Sequence, residues 1–200
     1  MPIWDHNGSS YSSIKYIWDH NGSTYSKINR VWDHNGSSYS DIWKSSITIT
    51  NLLSAETSTG TAWSDYGYDT GTSYGSAWNT TSGHRYFARG ALNGFAYDYG
   101  LGGFNFEANA QIGGHTITSW TASSEFTSRT WYANIIFTAG SSAQLTCWYK
   151  RYMHSQGSAY AYLYMLVDIA AFESAKGKTY GADEFYNTVG QFYGNKEISV

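Results

Sequence analysis

RTWYANIIF (129–137), QLTCWYKRYM (144–153) and YAYLYMLVD (160–168) follow one another, separated by the Gly- and Ser-bearing strings TAGSS and SQGS. Each run is dense in aromatic and β-branched residues and is closed off by turn formers, a pattern of strands rather than helices. ITITNLL from Ile47, HRYFA (84–88) and HTITSW (115–120) repeat it. Strands of this length and spacing predict an all-β body over residues 45–200, a β-sandwich of the jelly-roll-like kind. Residues 58–83, STGTAWSDYGYDTGTSYGSAWNTTSG, have no clean period and read as long loops displaying Trp63, Tyr66, Tyr68, Tyr74 and Trp78. Near the end, Phe185, Val189 and Phe192 stand at helical spacing behind Asp183, which predicts one short C-terminal helix with Asp183 as its N-cap.

The first 44 residues are organised differently. IWDHNGSSYS at Ile3 returns as IWDHNGSTYS at Ile17 and as VWDHNGSSYS at Val31, in register every 14 residues. Asn-Gly between strand formers is a strong hairpin signal, because a type I′ turn needs positive φ at both central residues. A two-residue turn at each Asn-Gly sets His20 opposite Ser23 and Trp18 opposite Tyr25, a cross-strand aromatic pair. Side chains alternate along a strand, so one such turn per copy would throw Trp18 and Trp32 onto opposite faces of a continuous meander. A second reversal or a bulge near INRV (28–31) restores the parity, and each copy becomes two strands of about five residues. These hairpins hold few residues with which to close a core. They are expected to lean on the rest of the chain, on symmetry mates or on a docking surface, through Trp4, Tyr11, Trp18, Tyr25, Trp32 and Tyr39.

Composition narrows the partners. Of 200 residues 18% are aromatic and only 14% charged, with 21 glycines, one proline and a formal net charge of −3; average soluble domains carry about 25% charged residues. Polyanion binding needs clustered Lys and Arg, and the one short cluster is Lys150-Arg151, so no nucleic-acid partner is expected. No apolar run reaches the ~20 residues that cross a bilayer, and Met1 runs straight into the first repeat without the n- and h-regions of a signal peptide. Neither membrane insertion nor a signal peptide is therefore expected. Cys147, the one cysteine, sits inside an apolar run and reads as a buried small hydrophobe.

Three chemistries are suggested by motif. His6, His20 and His34, each beside an Asp, have metal-ligand character, but a polar residue just before an Asn-Gly turn is ordinary at a strand end, so no metal or other cofactor is assigned. GTSYG (71–75) matches the G-x-S-x-G elbow that would make Ser73 a nucleophile; that chemistry needs a strand before and a helix after, and neither is legible. Asp65, Asp69, Asp98 and Glu107 are acids without a spacing that pairs them. No enzymatic activity is expected. The loop aromatics, with a flat apolar face and a polar tip, suit either sugar stacking or a protein interface.

The repeats, W-x-x-x-G-S-x-Y-x-x-I in front of a Gly- and aromatic-rich β body, resemble structural proteins of tailed bacteriophages: head decoration proteins, fibres and tail appendages. WNTTSGHRYFARG (78–90) with the run 144–168 is similar to the jelly-roll core of adhesion and lectin-like domains. The resemblance implies a non-enzymatic virion protein, a capsid decoration or short fibre located on the particle. Residues 1–44 would attach it to other capsid or tail proteins or to symmetry mates, as a homo-oligomer such as a trimer, and residues 45–200 would face outward for host attachment, with a surface glycan as a possible ligand. The alternative is a carbohydrate-binding, lectin-like module; a hydrolase using Ser73 stands behind both.

Overall fold

The computed structural model describes residues 46–63, 69–97, 106–122, 128–151 and 156–199 with their side chains, and gives backbone pairing alone for the strand residues between 4 and 44 and for 98, 126, 127 and 155. The chain divides into two compact units, one of Met1–Ile49, Ala171–Thr179 and Glu197–Val200, the other of Thr50–Ala170 and Tyr180–Lys196.

In the first unit each repeat is a two-stranded antiparallel ribbon: β1 (Trp4–Asn7) with β2 (Ser10–Ser13), β3 (Ile17–His20) with β4 (Tyr25–Ile28), and β5 (Arg30–His34) with β6 (Tyr39–Lys44). Two short strands per copy match the expectation. The register does not: His6, His20 and His34 face Tyr11, Tyr25 and Tyr39, while Trp18 faces Lys27, so the expected Trp18 to Tyr25 pairing is corrected. The tight Asn-Gly register would leave His20 opposite a serine, whereas this one opposes two ring-bearing residues, the kind of pair that stabilises a ladder. A bulge falls between Val31 and Trp32. The side chains of these residues, including the metal candidates His6, His20 and His34 and the attachment candidates Trp4, Tyr11, Trp18, Tyr25, Trp32 and Tyr39, lie outside the described residues.

The second unit is built from eight strands that pair first with last. β8 (Thr57–Trp63) pairs with β15 (Ser155–Asp168), β9 (Asp69–Asn79) with β14 (Ser142–Arg151), β10 (Arg85–Asp98) with β13 (Phe126–Thr138), and β11 (Phe106–Ile112) with β12 (His115–Ala122), all antiparallel. Rolled up, this nested hairpin gives two sheets, β8-β15-β10-β13 and β9-β14-β11-β12, the jelly roll that the strand spacing suggested. β7 (Ser46–Asn51) joins the first sheet where Asn51 meets Val167, and β16 (Gly194–Ser199) follows it in the strand order. The innermost pair turns at Gly113 and Gly114, whose φ of 56 and 80 a two-residue hairpin turn requires.

The residues that face each other between the sheets explain the composition. Ala88, Leu92, Ala108, Ala110, Ile112, Leu145, Cys147, Ala161 and Leu163 are buried small and aliphatic residues, and large rings fill the space they leave. Trp63 stacks on Phe106 at 4.8 Å and on Tyr149 at 5.5 Å, and Trp120 lies 4.5 Å from Phe106 and 5.2 Å from Trp131. The rings fit because glycines face them: a Cβ on Gly94 would come 2.7 Å from the Trp120 ring, and one on Gly157 2.5 Å from Trp63.

Three expectations are corrected. Much of 58–83 is strand rather than loop, since β8 and β9 occupy 57–63 and 69–79; besides Trp63 and Trp78 the inward positions include Thr59, Gly71, Ser73 and Gly75, so along β9 the period of two runs in side-chain size rather than hydrophobicity. The described residues hold two short helices, α1 (Ala170–Lys176) and α2 (Ala182–Val189), where one was expected. α2 buries Phe185 and Val189 as expected, but its N-cap is Gly181, whose N–H donates to Glu184 Oε2 at 3.5 Å, and Asp183 lies in the first turn. Gly190 at φ 68 ends it, which leaves Phe192 outside.

Candidate functional site

The five loop aromatics do not form one site. Trp63 and Trp78 pack against the core between the sheets, whereas Tyr74 points outward from β9 and is 70% exposed. Tyr66 and Tyr68 lie outside the described residues. Strand alternation separates them, because two of these residues fall on inward positions and one on an outward position. Ser73 sits in mid-strand opposite Cys147, without the strand-to-helix turn that exposes a nucleophile. Cys147 is buried, and loss of hydration pushes its thiol up to about 12 against a weaker downward pull from the backbone hydrogen bond with Ala161.

The nominated acids are scattered as well. Asp69 accepts a hydrogen bond from the Tyr149 hydroxyl at 3.2 Å and pairs with the buried Arg151 guanidinium at 3.7 Å, which lies 5.7 Å from the Trp63 ring. This cluster ties the ends of β9 and β14 together. Glu107 belongs to β11, and the side chains of Asp65 and Asp98 are not among those described. Among the described residues no group of three His, Cys, Asp or Glu side chains is arranged to hold a metal. At the opposite strand ends His84 Nδ1 lies 2.7 Å from Asp168 Oδ2, and Asp168 Oδ1 accepts the N–H of Ala170, a cap for the first turn of α1.

The described aromatic residues that do gather lie elsewhere, on the outer face of the β8-β15-β10-β13 sheet. SAYAYLY (158–164) places Ala159, Ala161 and Leu163 inward, fully buried, and Tyr160 and Tyr162 outward. Tyr164 continues the same alternation onto this face, and a β-bulge falls there, where Gly90 pairs with Leu163 and Arg89 with Met165. Register builds two rows across it. Ser58, Tyr162, Ala91 and Tyr132 stand side by side on four strands, and so do Gly60, Tyr160, Asn93 and Thr130. Ala91 is fully buried between its two tyrosines, while Tyr132 is 58% exposed. The Tyr164 ring lies 5.9 Å from Tyr132 and 6.4 Å from Tyr162, the latter pair within 12° of parallel.

Polar groups frame these rings. Asn93 Nδ2 donates to Thr130 Oγ1 at 2.7 Å. Arg89 lies 5.5 Å from the Tyr132 ring and 4.2 Å from the Tyr186 ring of α2, and donates to Asn134 Oδ1 at 3.0 Å; Asn134 in turn donates to Asp183 at 2.8 Å. Burial first, then the Glu56 carboxylate and Tyr132, raise the Tyr164 phenol above its ordinary value, so it stays neutral. Beyond Arg89 the face is closed by α2, with Phe185 4.8 Å from Phe87. The sequence carried a signal for this site that loop-focused reading passes over: tyrosine at every second position of a strand whose alternate positions are Ala and Leu.

No family model and no curated protein matches the chain. Solved structures of infectious bursal disease virus share a shallow likeness with it. The Gt strain structure aligns over 78% of this chain at 11% identity with a TM-score of 0.31, and the crystal structure of the VP2 subviral particle over 76% at 13% identity with a TM-score of 0.29. The chain spans about two fifths of the length of those structures, 41% in both cases. At these scores the likeness assigns neither fold nor function.

Proposed function

We propose that this chain is a structural component of a virion, of the decoration, short-fibre or appendage kind found on tailed bacteriophages. Its three N-terminal ribbons attach it to capsid or tail proteins or to symmetry mates, and its jelly roll is displayed on the particle. The observation that carries the reading is a triplicated ribbon in front of a jelly roll; jelly rolls recur in capsid and lectin domains. Three copies of one surface in tandem suit a partner that is itself repetitive, because each further contact after the first is effectively intramolecular. A surface of low charge and net −3 fits protein contacts better than polyanion contacts. In this reading the role is non-enzymatic, and the position of Ser73 in a strand interior, away from any strand-to-helix turn, is consistent with it.

The test is co-sedimentation of the full chain with its virion, together with light scattering across a concentration series. Saturable binding, or assembly into a trimer or other closed oligomer, is expected, and both are expected to disappear when residues 1–44 are removed from a chain whose circular dichroism stays β-rich. A full-length chain that remains monomeric at high concentration and binds no particle component overturns the reading. A second reading, a carbohydrate-binding module, is favoured by one observation, the outward tyrosines of β13 and β15.

A further inference from the structure

We propose that the tyrosine face of the β8-β15-β10-β13 sheet binds an uncharged glycan, with sugar rings stacked on Tyr132, Tyr160 and Tyr162 and their hydroxyls bonded to the polar groups of the rows around Asn93. This rests on the second reading above, a carbohydrate-binding module, and deepens it by naming a site and a ligand class.

An uncovered row of rings is the first ground. Opposite Tyr160 on β8 stands Gly60, where a Cβ would meet the Ala159 carbonyl as well as Tyr160 Cδ1, so β8 places no side chain beside the Tyr160 ring at that position. Tyr162 and Tyr164 are within 12° of parallel, and Tyr132 adjoins them, so the aromatic surface is continuous across β15 and β13. Broad ring faces with hydroxyl tips match the apolar faces and polar rims of pyranoses.

Chemistry along the same face is the second ground. Where α2 covers this sheet the centre of the contact is apolar: Phe87 of β10 lies against Phe185 of α2, and Phe87, Phe185 and Val189 are almost wholly buried. Where the sheet is left open it uses Tyr, Asn, Thr and Ser, residues stable against water that still offer contact area and directional hydrogen bonds.

Charge is the third. The cations of the face are already committed, Arg89 between two tyrosine rings and Asn134, and Arg85 to the Tyr180 carbonyl at 3.3 Å. Glu56 adds a negative charge beside Tyr164. Among the described residues a sulfated, sialylated or phosphorylated ligand would meet no cluster of positive charge on this face, whereas a neutral sugar needs none.

The experiment uses the full-length chain on an array of neutral gluco-, galacto- and manno-oligosaccharides beside sulfated and sialylated ones, followed by titration calorimetry with the best neutral binder. Saturable binding to a neutral oligosaccharide is expected, weakened about tenfold or more by Tyr132→Ala and by Tyr162→Ala, since each removes one stacking platform. Tyr162→Phe is expected to retain most of the affinity, and Tyr74→Ala, on the other sheet, all of it. Thermal melts of each variant separate lost binding from lost fold. Three outcomes overturn the assignment: silence across the neutral glycans, binding confined to anionic ones, or neutral binding indifferent to both alanine variants. Self-association of the wild type that Tyr132→Ala abolishes, without glycan binding, would instead give the face to a second copy and overturns it too. Particle association is expected to survive Tyr132→Ala and Tyr162→Ala, so failure here and failure of the virion reading are distinguishable.

Discussion

At the scale of single residues, Asn51 has the most to lose. Between Leu163, which pairs with β8, and Val167, which pairs with β7, the edge of β15 has no ladder partner among the described residues, and a side-chain amide fills the gap. Asn51 is 2% exposed; its Nδ2 donates to the carbonyls of Tyr164 and Phe192, and its Oδ1 accepts from the N–H groups of Leu53 and Leu166. An amide offers two donors and two lone pairs, and all are used. Asn51→Ala strands these backbone groups, so a loss of roughly 2–4 kcal/mol is expected, seen as a lower urea midpoint with an unchanged slope. Cys147 gives a second test. Its thiol is neutral in the folded chain up to about 12 against a reference of 9.0, so native protein at pH 8 is expected to resist alkylation that the urea-unfolded chain undergoes at once. The sign for stability follows: the contribution is fully present below pH 9.0 and is lost as pH rises towards about 12, because only the unfolded state releases the proton there. Cys147→Ala should flatten that part of the stability curve. An unchanged curve would show that burial of this thiol is not what shifts it.

Elements were legible where their inward residues are aliphatic or aromatic. β7, β10, β12, β13, β14 and β15 all contain runs that alternate or stay apolar, and α2 shows itself by Phe185 and Val189. β8 and β9 were hidden because their half of the packing is supplied by others: Gly71 lies against the Tyr149 ring, and the volume a hydrophobic scan looks for sits on β14. α1 was hidden by brevity, and the ribbon register by the competition between a turn signal and the pairing of its arms. The candidate site was half legible. Tyrosine alternation in β15 is plain in the sequence, but its alignment with Tyr132 through Ala91 depends on a register that only the folded sheet supplies. The same complementarity between ring and glycine makes a prediction at this scale. Gly94 on β10 faces Trp120 on β12, and a methyl there would meet both the Trp120 ring at 2.7 Å and the Ser158 carbonyl at 2.6 Å. One neighbour is backbone and cannot swing aside. Gly94→Ala is expected to cost roughly 1–3 kcal/mol as an overpacked core and to broaden the Trp120 indole resonance in NMR spectra; a neutral effect would mean that the two sheets separate more easily than this packing implies.

For the whole molecule, the question is why one surface should be written three times ahead of a fold that needs no help to close its core. The jelly roll supplies its own interior, with its outermost strands paired and both sheets facing one cluster of buried residues. The ribbons repeat the same register next to their turns, His opposite Tyr in every copy, and repeat the same sequence. If they serve one composite interface, damage to any copy removes the whole. If they are independent grips on a repetitive partner, each copy contributes its own factor and the effects compound. The proposed attachment to a virion requires the second behaviour. Replacing Trp18 by Ala in the middle copy is therefore expected to weaken particle binding by a moderate factor, the Trp4→Ala, Trp18→Ala pair by about the square of that factor, and the triple variant with Trp32→Ala to abolish it within the range of a sedimentation assay. Glycan binding by the tyrosine face should be the same in all three variants. Full loss of particle binding from a single substitution would argue for one composite contact, and no loss from the triple variant would remove the ribbons from attachment altogether.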